Sequence, residues 1–190
     1  MKSIKHLAVI LLSFVFIQKS QAQQTMLAFE KGESSIQLGF GLGMTYSSNK
    51  SKVPPLQFRY EKAVTEYISV GGILGYSATT YQFDNIEYNE YTGGIEYSKT
   101  GIDQSYLLIG ARSNYHFETG EKFDPYGGVT LGYNNISTGS GTTSGADLDS
   151  SMMLFGAQVG ANYYFSPKLG AWAEFGYGIS YLNLGVAFKL

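Results

Sequence analysis

The last ten residues, Tyr181 to Leu190, constrain this chain more than any other stretch. Leu182, Leu184, Val186, Phe188 and Leu190 fall on one face; Tyr181, Asn183, Gly185, Ala187 and Lys189 fall on the other. A period of two is the strand period, not the 3.6-residue period of a helix. One face is apolar and the other is small or polar. A strand left at a sheet edge presents a row of unpaired N–H and C=O groups. Pairing of this last strand with the first would close the sheet and remove both edges, which is what a hydrocarbon surrounding requires.

The same alternation recurs seven times upstream. A first strand carries Ile36, Leu38, Phe40, Leu42 and Met44 on one face. A second carries Leu56, Phe58 and Tyr60, and a third Ile68, Val70, Leu74 and Tyr76. A fourth carries Leu107, Ile109, Ala111, Tyr115 and Phe117, and a fifth Phe123, Val129, Leu131 and Tyr133. Met153 to Phe165 reads as the sixth and Leu169 to Tyr177 as the seventh. The connections have their own rhythm. Lys62–Glu66, Glu118–Lys122 and Ser166–Lys168 are short, whereas Ser47–Pro55, Asp84–Asp103 and Ser137–Ser150 are long, polar stretches that read as loops. The connection at Gly178 breaks the rhythm by being short. Short turns at one end and long loops at the other are the pattern of an outer-membrane barrel.

The charges say which face meets lipid. Arg59, Glu61, Arg112, Glu174 and Lys189 all lie opposite the apolar face of their strand. An Arg or Lys facing lipid at the bilayer midplane costs ~2–4 kcal/mol, so the apolar face is expected outside. Aromatic residues cluster by height: Tyr46, Tyr76, Tyr133 and Tyr177 at the long-loop end, and Phe117, Phe123, Tyr163, Phe165 and Phe188 at the short-turn end. Two such girdles mark the two membrane interfaces. A soluble barrel or sandwich with its apolar face inward shares the alternation but not the girdles or the loop rhythm. The expected fold class is therefore all-β: an eight-stranded antiparallel up-and-down transmembrane β-barrel with short periplasmic turns and longer extracellular loops.

The N-terminus supplies an address. Lys2 and Lys5 precede an apolar run, Leu7 to Ile17, and small residues Ser20 and Ala22 follow at cleavage-site spacing. Residues 1–22 read as a secretory signal peptide, the run being shorter than the ~20 residues of a helical membrane span. Residues 23–33 carry no pattern and read as a periplasmic lead-in, with the barrel domain at 34–190. No cysteine is present, which removes disulfides, thiolate metal sites and a lipid anchor on cysteine. The formal charge of −2 gives no reason to expect nucleic acid. No cofactor motif and no metal-ligand spacing is evident.

Three stretches carry a family likeness: Gln37-Leu38-Gly39-Phe40-Gly41-Leu42-Gly43, Pro125-Tyr126-Gly127-Gly128, and Leu184-Gly185-Val186-Ala187-Phe188-Lys189-Leu190. From about Ser34 to Leu190 the chain resembles the small eight-stranded outer-membrane β-barrels of the OmpA-barrel, OmpX and OmpW kind. The resemblance implies a bacterial outer-membrane location, lipid and lipopolysaccharide as surroundings, and the barrel-assembly machinery as a partner in biogenesis. Many such barrels end in an aromatic residue read by that machinery; here the last residue is Leu190 and Phe188 stands two before it.

Candidate functional residues fall into three groups. Arg59, Glu61, Arg112 and Glu174 are expected inside the barrel as an ion-pair network, which either fills a closed lumen or forms the constriction of a narrow pore. An eight-stranded interior is just wide enough for side chains, which favours the closed reading. The acidic, tyrosine-rich stretch with Asp84, Glu87, Tyr88, Glu90, Tyr91, Glu96 and Tyr97 is a candidate contact surface for an extracellular protein or host surface, since tyrosine offers large contact area at low entropic cost. His116 faces in near the short-turn end. A hydrolase would need it between a nucleophile and a carboxylate. The lipid-modifying barrels that the resemblance brings in keep such sites at the outer leaflet, so no catalytic residue is assigned.

Overall fold

The computed structural model describes residues 27–44, 50–89, 94–140 and 148–190. The stretch read as a signal peptide, residues 1–22, and Tyr46, Glu90 and Tyr91 lie outside those residues. Eight strands follow in chain order: β1 (Ser34–Met44), β2 (Lys50–Ala63), β3 (Ile68–Asn89), β4 (Gly94–His116), β5 (Phe123–Ser140), β6 (Leu148–Tyr164), β7 (Leu169–Gly176) and β8 (Ser180–Lys189). Each pairs antiparallel with the next. β8 returns to β1 in a register running from Ser35 opposite Lys189 to Met44 opposite Ser180, so the barrel closes. Among the described residues no helix is long and apolar enough to cross a membrane; the crossing is made by strands.

Strand parity sorts the side chains. Phe155 is 72% exposed and Val129 62%, whereas Arg59 is 0% and Glu174 5% exposed. The outward face is apolar because lipid is its solvent; the inward face holds the polar residues and the glycines. Tyr76, Tyr133 and Tyr177 stand exposed toward the long-loop end, and Phe117, Phe123, Tyr163, Phe165 and Phe188 toward the other.

Three expected loops are in large part strand. β3 and β4, at 22 and 23 residues, continue through the stretch from Asp84 to Asp103 and pair as far as Asn89 opposite Gly94. β5 runs on through Ser140, and β6 begins at Leu148. β2 begins at Lys50 rather than Leu56. The reason is the same in the first two cases. Beyond the lipid both faces of a sheet meet water, so apolar–polar alternation fades while the β-propensity of Thr, Tyr and Ile persists. In β2 the pair Pro54-Pro55 lacks two N–H donors, and the register with β3 shifts between Ser51 and Val53 and again between Val53 and Leu56. Proline enters a sheet at such bulges.

The lead-in is not a free arm. Ala28 is buried, and its N–H donates to Gly120 O at 2.9 Å. Gly32 N–H donates to Ala63 O, and Ala63 N–H to Glu33 O, both at 2.9 Å. Residues 27–33 thus lie across the short-turn mouth of the barrel.

Candidate functional site

Parity in β2, β4, β5 and β7 points Arg59, Glu61, Arg112, Tyr126 and Glu174 into the lumen, where they meet in one layer. Arg59 Nη2 lies 2.7 Å from Glu174 Oε1, and its Nη1 lies 3.1 Å from Oε2. Arg112 Nη2 lies 2.6 Å from Glu174 Oε2, and its Nε lies 2.7 Å from Glu61 Oε1. Tyr126 O–H donates to the same Glu174 Oε2 at 3.0 Å. The second Glu61 oxygen accepts from Asn114 Nδ2 at 3.0 Å and Ser69 Oγ at 3.1 Å. Gln57 Oε1 accepts from Arg59 Nε at 3.0 Å and Nη2 at 2.6 Å, and the guanidinium lies 3.9 Å from the centre of the Trp172 ring. Two arginines and two glutamates make the layer neutral, and every charge in it has an opposite charge in contact. That pairing is the condition for burying ions at all.

The layers on either side are occupied by side chains among the described residues. Toward the long-loop end Ile73, Leu108, Leu154 and Ile179 pack as an apolar cluster. Between that cluster and the ion layer lies a cavity of about 20 Å³, and a second of about 20 Å³ lies on the short-turn side. Either has room for about one water.

The lower cavity is lined by a group that the sequence did not bring together. His116 Nδ1 lies 2.7 Å from Asp124 Oδ1, and Nε2 lies 2.9 Å from Ser69 Oγ. Asn162 Nδ2 donates to Asp124 Oδ2 at 2.8 Å. Ser69, His116 and Asp124 are each no more than 2% exposed. The order of atoms is that of a serine–histidine–aspartate triad. Its surroundings are not those of a reaction site. Phe29 of the lead-in stacks on the imidazole at 3.6 Å between ring centres, Ser69 Oγ also donates to Glu61, and the water-sized cavity leaves no room for an ester. Inward parity marks each of these residues in the sequence, and what parity cannot supply is their common height. Lys189 closes the mouth below, donating to Leu27 O and pairing with Glu33 Oε2, both at 2.9 Å.

The acidic stretch separates from the lumen group. Asp84, Glu87 and Tyr88 lie on β3, Glu96 and Tyr97 on β4, with Glu87 directly opposite Glu96. Among the described residues no group of three or more histidine or carboxylate side chains is placed to hold a metal ion.

Comparison with known proteins agrees with this architecture. No curated protein sequence matches the chain. Solved structures do. The N-terminal β-barrel domain of Pseudomonas aeruginosa OprF is 17% identical, with a TM-score of 0.53 over 84% of this chain and 98% of that one. OprG, an outer membrane protein of the same organism, is 14% identical, with a TM-score of 0.54 over 88% and 99%. A de novo designed transmembrane β-barrel gives 14% identity and a TM-score of 0.52 over 86% and 99%. At these identities the likeness speaks for the fold alone. The family of the outer membrane protein beta-barrel domain matches residues 7–187, and this chain belongs to that family.

Proposed function

We propose that the protein is a closed outer-membrane barrel whose role is structural and surface-directed, not transport through its lumen. The observation that carries this reading is the neutral Arg59–Glu174–Arg112–Glu61 layer with water-sized cavities on both sides. A pore needs a continuous wet path, and charged rings select ions only where such a path exists. The contact surface is the β3–β4 ribbon. Among the described residues the β2–β3 ladder runs to Lys50 opposite Thr80, while β3 and β4 stay paired for nine further positions, a reach of ~30 Å at the strand rise. A projecting ribbon suits strand addition by an extended segment of an extracellular protein or host surface, with backbone hydrogen bonds giving affinity. Asp84, Glu87, Tyr88, Glu96 and Tyr97 lie on that ribbon, and Glu90 and Tyr91 fall between its strands in sequence.

The test is conductance of the refolded chain in a planar bilayer, with heat-modifiable gel mobility as proof of folding. Folded protein is expected to give no discrete channels. Reproducible unitary steps would overturn the closed reading and make the ion layer a constriction.

A further inference from the structure

The hydrogen bonds at the short-turn mouth fix how many protons His116 holds. Ser69 has one hydroxyl proton and donates it to Glu61 Oε2 at 3.1 Å. Its oxygen therefore accepts in the 2.9 Å contact with His116, so Nε2 carries a proton. The 2.7 Å contact between His116 Nδ1 and Asp124 Oδ1 also holds a proton, since two bare acceptors do not bond. Between an imidazole and a carboxylate that proton stays on the ring, the weaker acid of the two. Both ring nitrogens donate, and the ring is an imidazolium. The charges around it agree. Glu61 of β2, Arg112 of β4, Asp124 and Tyr126 of β5, Tyr164 of β6, Lys189 of β8 and Glu33 of the lead-in surround the ring. β1 and β3 present neutral side chains there, among them Gln37 and Ser69, and Glu174 of β7 belongs to the neutral layer above. Arg112 pairs with Glu61 and Lys189 with Glu33, so Asp124 is balanced only by a charged His116. The contact with the lead-in agrees as well. Phe29 lies face to face with the ring, 3.6 Å between centres and 13° from parallel, which leaves almost no offset. Two neutral aromatic rings avoid that sandwich, whereas a cation is drawn to the face of a π-system.

We propose that the lead-in is a proton-held strap, lying across the short-turn mouth while His116 is an imidazolium and coming away when the ring loses its second proton. Loss of that proton acts twice in the same direction. It takes the cation from the face of Phe29, and it leaves the Asp124 charge buried and uncompensated beneath the strap, where opening would hydrate it. The closed strap therefore belongs to low pH and is released as pH rises. The same proton count explains why the triad order is idle, because an imidazolium cannot take a proton from Ser69. None of this depends on whether the lumen conducts.

The experiment is an NMR titration of the refolded full chain in micelles, from about pH 5 upward, where an ordinary imidazole begins charged. The chain carries His6→Gln, which leaves His116 as its one histidine. The ring-nitrogen shifts of isotope-labelled histidine count the protons on His116. Hydrogen exchange at the Ala28 and Gly32 amides, corrected for the intrinsic pH dependence of exchange, reads the strap, since both amides bond across the mouth. At the acid end both ring nitrogens are expected to be protonated and both amides protected. As the ring loses one proton, that protection is expected to fall ~10-fold, the size of a desolvated cation–π contact, while protection at Arg59 in mid-barrel stays constant. Phe29→Leu keeps an apolar cover without a π-face and is expected to shrink the fall to ~2–3-fold, with the barrel folded by heat-modifiable mobility. A singly protonated ring at about pH 5 beneath a protected strap would overturn the imidazolium. Strap protection unchanged as the ring titrates, protection lost at Arg59 in step with Ala28, or a ring that keeps both protons until the barrel unfolds would each overturn the switch.

Discussion

Glu174 is the residue on which the lumen depends most. Its two oxygens accept from Arg59 on β2, Arg112 on β4 and Tyr126 on β5, so one carboxylate ties β7 to three other strands across the barrel. Glu174→Gln removes the charge with little change of shape. A glutamine offers one acceptor oxygen where four donor groups from three residues converge, and two arginines would then share the single charge of Glu61. Breaking a buried ion pair from one side costs ~3–5 kcal/mol, because the partner charge stays buried. The expected outcome is a loss of that size in urea unfolding of the micelle-folded protein, read from the heat-modifiable band. A loss under ~1 kcal/mol, the worth of an exposed pair, would mean that water reaches the layer. The four charges of this layer were legible in the sequence, since strand parity placed them inward. Tyr126, Asn114 and Gln57 share that parity, but their contacts with the charges depend on strand stagger. Stagger is a property of the closed sheet and is not written in any one strand.

At the scale of elements, the membrane-crossing parts of the strands were the legible ones. There one face meets lipid and the other a packed lumen, so each residue declares its side. The ribbon from Asp84 to Asp103 carries no such declaration and reads as loop until its pairing is seen. The lead-in was illegible for a different reason: seven residues without periodicity are fixed by long-range partners. Phe29 stacks on His116, Glu33 meets Lys189, and Ala28 and Gly32 bond to the backbone at Gly120 and Ala63. The one hint was Lys189, an inward lysine near the end of the last strand. Phe29→Ala removes the ring contact but none of the strand pairing. The barrel should therefore fold normally, while the lead-in opens more often. Hydrogen exchange at the Ala28 and Gly32 amides is expected to speed up ~5–10-fold, in keeping with ~1–1.5 kcal/mol for a lost aromatic contact. Unchanged protection would show that the backbone bonds alone hold the segment.

For the whole molecule, closure is decided where β8 meets β1. Gly185 stands opposite Gly39, and the Trp172 ring lies over both. A Cβ at Gly185 would collide with Leu38 O and come within 2.7 Å of Trp172 Nε1. The obstacle on one side is backbone of the partner strand, and on the other a ring held by its own hydrogen bond to Val186 O and by the Arg59 guanidinium. Neither can move without disturbing the seam or the ion layer. An open sheet in lipid leaves two rows of backbone groups without partners, each costing several kcal/mol, so partial closure is not a stable compromise. Gly185→Val is therefore expected to lose the heat-modifiable band altogether, not merely to lower its midpoint. Gly178→Ala, where a Cβ meets nothing within 4 Å, is expected to fold like the parent. Both variants add side-chain bulk at a glycine near the chain's end, so their difference isolates the seam. A folded Gly185→Val barrel would show that β1 and β8 can part locally while the rest of the cylinder holds. It would also move the control of closure from the seam to the ion layer.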